Sequence, residues 1–171
     1  MLPLLAAMIF ASSARGQFEQ VINLPVDPVP FFVESNTQLN VFDLGEIPDF
    51  FNFGDIFGNR VNIEVNLFEG GFAGNNLLVE GAVTVNVDGG DIGANFDAGS
   101  VGSLFFEETP VVNLLSGSIS GFYESRFGTT NISGGSIGTF STFEDATISM
   151  TGGSLGDFAT ASGSNITIDD G

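Results

Sequence analysis

Apolar and polar residues alternate with a period of two along most of this chain, as in V-N-V-D (residues 85–88), N-I-S (131–133) and I-T-I-D (166–169). Such alternation sends one side of a strand inward and the other outward, and no stretch shows the 3.6-residue spacing of a helix. The predicted strands are short, and each stops at glycine, where a sharp bend costs little. The clearest units are T-N-I-S-G-G-S-I-G-T-F (130–140) and I-S-M-T-G-G-S-L-G-D-F (148–158). With the second glycine of the pair as anchor, the unit recurs at Gly45, Gly71, Gly90, Gly117, Gly135, Gly153 and Gly171. The spacings are 26, 19, 27, 18, 18 and 18 residues.

Aligning the anchors produces columns. Three residues earlier stand Phe42, Phe68, Val87, Leu114, Ile132, Met150 and Ile168; two residues later stand Ile47, Ala73, Ile92, Ile119, Ile137 and Leu155. Five or six positions after the anchor come Phe50, Leu77, Phe96, Phe122, Phe140 and Phe158. Five positions before it, Val85, Val112, Ile148 and Ile166 agree, whereas Asn40 and Asn66 break the column and look shifted by a residue. One such unit has no way to bury its own apolar face, but stacked units about 4.8 Å apart turn every column into an interior ladder. The expected fold is therefore all-β, a parallel β-helix (β-solenoid) with coils of about 18–20 residues. Leucine-rich repeats lack support here because their L-x-x-L-x-L signature is missing, and the strands are too short for a transmembrane barrel.

Composition agrees with a packed chain. Hydrophobic residues make up 43% and aromatic residues 12%, which is ample for a core and argues against a disordered glycine-rich tract. Cysteine is absent, so stability has to come from stacking. The formal net charge of −18 excludes nucleic acid and anionic membranes as partners. Residues 1–16 read as a secretory signal peptide: an apolar run too short to span a bilayer is followed by small residues suited to cleavage near Ala14 or Gly16. No other segment is apolar enough for membrane insertion, so the product is expected to be secreted or held in the cell envelope. Residues 17–37 are extended and punctuated by proline, and are expected to cover the open edge of the first coil. The solenoid proper spans 38–171, with its last coil incomplete. An uncapped C-terminal edge would favour end-to-end self-association, or mark the chain as a fragment of a longer array.

The two long spacings point to insertions around Phe51–Arg60 and Gly99–Glu108. Insertions in solenoids form loops where binding sites gather. Their aromatic residues Phe53, Phe57, Phe105 and Phe106 are candidates for an exposed patch that meets a glycan or a cell-surface protein. The competing expectation is that these rings fold back as packing. For metals, Asp43, Glu69 and Asp88 share the position two residues before the anchor. In register they would repel one another unless a cation, calcium by its preference for carboxylates, lay between them; the alternative is three solvated surface acids. Histidine, lysine and cysteine are all absent, which removes most nucleophile, base and zinc arrangements. No catalytic residue or cofactor is assigned. Paired carboxylates could still carry out glycoside hydrolysis.

The units N-I-S-G-G-S-I-G (131–138) and V-N-V-D-G-G-D-I-G (85–93), with V-I-N-L-P-V-D-P-V-P (21–30) and T-Q-L-N-V-F-D (37–43), resemble a group of secreted bacterial proteins with tandem V-N-I-S-G-G-S-V-G repeats. More loosely, they resemble the pectin-lyase-like β-helices of adhesin passengers. The resemblance implies a secreted or surface solenoid with a structural or adhesive role. The alternative it carries is a carbohydrate-active β-helix enzyme, a polysaccharide lyase or glycoside hydrolase, or a degenerate relative of one.

Overall fold

The computed structural model describes residues 18–55, 59–99, 108–160 and 163–169, and all its regular elements are strands. β1 (Gln20–Leu24) forms the first rung. The first coil holds β2 (Thr37–Val41), β3 (Glu46–Ile47) and β4 (Asn52–Phe53); the second holds β5 (Ile63–Phe68), β6 (Phe72–Ala73) and β7 (Leu77–Val79). In the third coil β8 (Val83–Ile92) runs through a corner before β9 (Phe96–Ala98), and in the fourth β10 (Val111–Arg126) follows the whole circuit. β11 (Thr129–Ile132) with β12 (Ser136–Phe143), and β13 (Thr147–Met150) with β14 (Ser154–Thr160), form the next two; β15 (Asn165–Ile168) opens another. Every pairing is parallel, coil on coil, and the strands join into one fifteen-stranded sheet wound into a parallel β-solenoid. Among the described residues no helix is long and apolar enough to cross a membrane.

Three runs of paired strands define three faces. The first is β1-β2-β5-β8-β10-β11-β13-β15; the second stacks β3, β6, β8, β10, β12 and β14; the third stacks β4, β7, β9, β10, β12 and β14. On the first face Leu39, Val65, Val85, Val112, Thr130, Ile148 and Ile166 lie in one inner column, preceded by Ile22 of β1. Its companion column runs Leu24, Val41, Leu67, Val87, Leu114, Ile132, Met150 and Ile168. β1 thus covers the edge of β2 as a fully paired rung, and Val33, 1% exposed, joins the same core from the segment that follows.

The register corrects two columns. In the first two coils the inner residues are Val41 and Leu67, whereas Phe42 and Phe68 face outward and stack on each other at 4.9 Å and 10°. The slip is absorbed at Phe68, which stands opposite both Asp88 and Gly89. In the aromatic column Phe50 and Phe122 give way to their neighbours Phe51 and Tyr123. Tyr123 pairs with Phe96 and Phe140, while Phe122 pairs with Thr139 across a bulge. Phe51 is buried and its carbonyl accepts from the Leu78 amide, but Phe50 is 78% exposed. The cause is a corner residue: Phe50, Asn76 and Asn95 each adopt positive φ just before Phe51, Leu77 and Phe96. The column at Ile47, Ala73, Ile92, Ile119, Ile137 and Leu155 pairs as the alignment predicts.

Candidate functional site

The outer side of the first face carries its most regular polar feature. Asn23, Asn40, Asn66, Asn86, Asn113 and Asn131 occupy one position in six successive rungs. Each later Nδ2 donates to the Oδ1 of the rung before, at 3.0, 2.9, 2.8, 2.8 and 2.8 Å. Parallel strands repeat every ~4.8 Å, which is the separation at which stacked carboxamides hydrogen-bond along a column. Glu64 extends the network, its Oε1 accepting from Gln38 at 2.7 Å and from Asn66 at 2.9 Å. This ladder escaped the sequence alignment although its signal is plain: one asparagine between two apolar residues in rung after rung. Asn40 and Asn66, which spoil the column of Val85 and Val112, belong to the column of Asn86 and Asn113.

A cleft of about 470 Å³ opens beside the first face, lined by Phe18, Val61, Glu64, Thr84, Glu108 and Thr109 among others. It lies where both insertions return to the solenoid, since residues 59–62 lead into β5 and 108–110 into β10. Hydroxyls, two carboxylates and an apolar wall give this open cleft a mixed polar and apolar lining. Nearby, Glu80 is 1% exposed, and among the described residues neither of its carboxylate oxygens has a hydrogen-bond partner. Its backbone runs between Gly54 and Gly99, the two positive-φ residues from which the insertions depart.

The third face brings together charges that the sequence keeps 27 residues apart in rung spacing, Asp97 standing opposite Glu124. Arg126 hydrogen-bonds the Glu124 carboxylate, approaches Glu144 at 3.9 Å and lies 4.6 Å over the Phe143 ring. Burial, and after it the charge of Glu124, push the Asp97 carboxyl above its ordinary value, with Arg126 pulling the other way. Two carboxylates in unlike environments are the ingredients of acid–base chemistry. Here one of them is already tied to an arginine.

Of the four residues of the predicted aromatic patch, Phe53 alone lies among the described residues. Phe53 is 2% exposed and packs against Phe51 with ring centroids 4.9 Å apart, so it belongs to the core. The insertion begins after it, at Gly54. Phe57, Phe105 and Phe106 lie outside the described residues, as do residues 1–16, which are expected to be a signal peptide. Asp43, Glu69 and Asp88 are all exposed, and the slip at Phe68 places Asp88 beside that residue instead of Glu69. Asp88 accepts from the Ser116 hydroxyl at 3.0 Å, and among the described residues no three acidic groups come close enough to hold an ion. The chain matches no protein-family model, no curated protein and no solved structure.

Proposed function

We propose that this chain is a secreted or cell-surface β-solenoid whose role is structural and adhesive, with a glycan or a surface protein as its partner. The observation that carries the reading is where the polar groups go. The asparagines bond from rung to rung, and the Tyr123 hydroxyl is held by Thr130 at 2.7 Å inside the coil. What faces outward among the described residues is a repetitive surface with a cleft where two insertions return to the solenoid. Such a surface suits recognition by shape and repetition more than turnover. The resemblance of the repeat units to those of secreted bacterial proteins is what suggests the compartment, and sequencing the N-terminus of the secreted product should find Gln17 or a residue near it.

A second reading, a carbohydrate-active β-helix enzyme, draws on the Asp97–Glu124 juxtaposition. One experiment separates the two. The purified protein is tested for saturable binding to immobilised glycans and cell surfaces, and in parallel for release of reducing ends from a polysaccharide panel. Binding without turnover is expected. Turnover that disappears in both Asp97→Asn and Glu124→Gln would establish the enzyme instead.

A further inference from the structure

Among the described residues, large apolar side chains that remain exposed are concentrated at one end of the solenoid: all but Leu115 and Ile168 lie between Val26 and Phe72. Two of them sit in unusual backbone. Leu44 and Phe50 occupy the turns at either end of β3 with φ of 64° and 61°. In later coils the equivalent corners carry Gly70 in one case and Asn76 and Asn95 in the other, residues that tolerate this conformation. A bulky residue at positive φ is strained, and burial gives nothing back here, because Leu44 is 83% and Phe50 78% exposed. Strain kept at exposed apolar positions points to use of the side chains.

Between the two corners, β3 turns Ile47 inward and Glu46 outward, and Phe72 stands beside Glu46 on the next rung, 38% exposed. Val26, 87% exposed, lies in the turn leaving β1, directly before the rung whose turn carries Leu44. Asp43, Glu46 and Asp49 are exposed around these residues, and no basic residue occurs from Val26 to Asn59. The surface is apolar with an acidic rim. A second copy would bring the same acids and another −18 charges, and an anionic bilayer is repelled likewise.

We propose that the outer surface around β3, formed by Val26, Leu44, Phe50 and Phe72, docks a cationic, apolar-faced polypeptide segment. The proposal rests on the adhesive reading above and names the chemistry of one partner. The test compares the full chain with its Leu44→Gly/Phe50→Asn variant, using a dye-labelled amphipathic peptide of lysine and leucine. A lysine–glycine peptide of equal charge controls for binding by charge alone. The variant should bind the amphipathic peptide at least ~10-fold more weakly, with the control peptide unchanged. Its thermal midpoint should rise by a few degrees, because glycine and asparagine fit the two corners. Equal binding by both proteins, or a midpoint that falls, would overturn the proposal. So would a wild-type dimer that the variant turns into a monomer in sedimentation, or anionic vesicles that bind wild type alone. Failure of the protein to adhere to glycans or cells, with the peptide difference intact, would sink the adhesive reading and leave this surface standing.

Discussion

Tyr123 shows how a departure from the repeat is compensated one residue at a time. It replaces phenylalanine in the aromatic column, stacked between Phe96 and Phe140 at 4.9 and 4.8 Å, and is fully buried. A buried phenol needs a partner. It finds one where the first-face column substitutes Thr130 for a branched aliphatic residue; the hydroxyls meet at 2.7 Å, and Thr130 reaches Ser125 at 3.3 Å. Burial accordingly pushes the phenol's pKa up, partly offset by those hydrogen bonds. Tyr123→Phe and Thr130→Val should each cost about 0.5–1.5 kcal/mol by breaking the buried bond between the two hydroxyls, whereas the double variant should lose less than their sum. Urea unfolding of the four proteins measures this, and strictly additive losses would contradict the pairing. Asp97 supports a pH prediction. Its folded pKa is raised above the unfolded value of 3.8, so the native state holds a proton that the unfolded chain releases, and stability falls as pH rises through that window. Asp97→Asn should therefore unfold at a higher temperature than wild type at pH 7. The gap should close as pH drops below 3.8, and a variant no more stable than wild type at pH 7 would show that Arg126 cancels the penalty.

The strands and columns of the first face were legible in the sequence where the spacing was a clean 18, as from Leu114 to Ile132 and Met150, because period-two alternation and the glycine stops survive on that face without local slips. The earlier coils hide their register. The bulge at Phe68 and the extra corner residues Phe50, Asn76 and Asn95 each move a column by one position, and a one-residue slip exchanges inside for outside. Phenylalanine made matters worse, since Phe50 and Phe51, or Phe122 and Tyr123, present two aromatic choices side by side. The asparagine ladder could emerge only after that register was known, and it is testable as an element. Asn86 donates to Asn66 and accepts from Asn113, so Asn86→Ala breaks two bonds and should cost about 1–3 kcal/mol. Asn131 is exposed and donates to Asn113 at the end of the ladder, and its replacement should cost under about 1 kcal/mol. Chemical denaturation that ranked the two in the opposite order would show that the ladder does not hold the face together.

As a whole, the molecule is a stack of coils held by apolar columns and carrying a formal charge of −18. Self-repulsion among its 21 acidic residues opposes compaction, and salt screens it over about 8–10 Å at physiological strength. Sodium chloride should therefore raise the thermal midpoint. Calcium should do no more than magnesium at equal concentration, because Asp43, Glu69 and Asp88 do not converge. A calcium-specific rise would restore a metal site to the acidic surface. The central claim is the parallel register that carries each column through successive coils, and the ladder offers a direct reading of it. Nuclear Overhauser contacts between side-chain amides in a ¹⁵N-labelled sample should connect Asn23, Asn40, Asn66, Asn86, Asn113 and Asn131 in that order, each with its neighbours alone. Contacts that skip a rung, that pair these asparagines with residues one position away, or that are missing between Asn66, Asn86 and Asn113 would contradict the solenoid described.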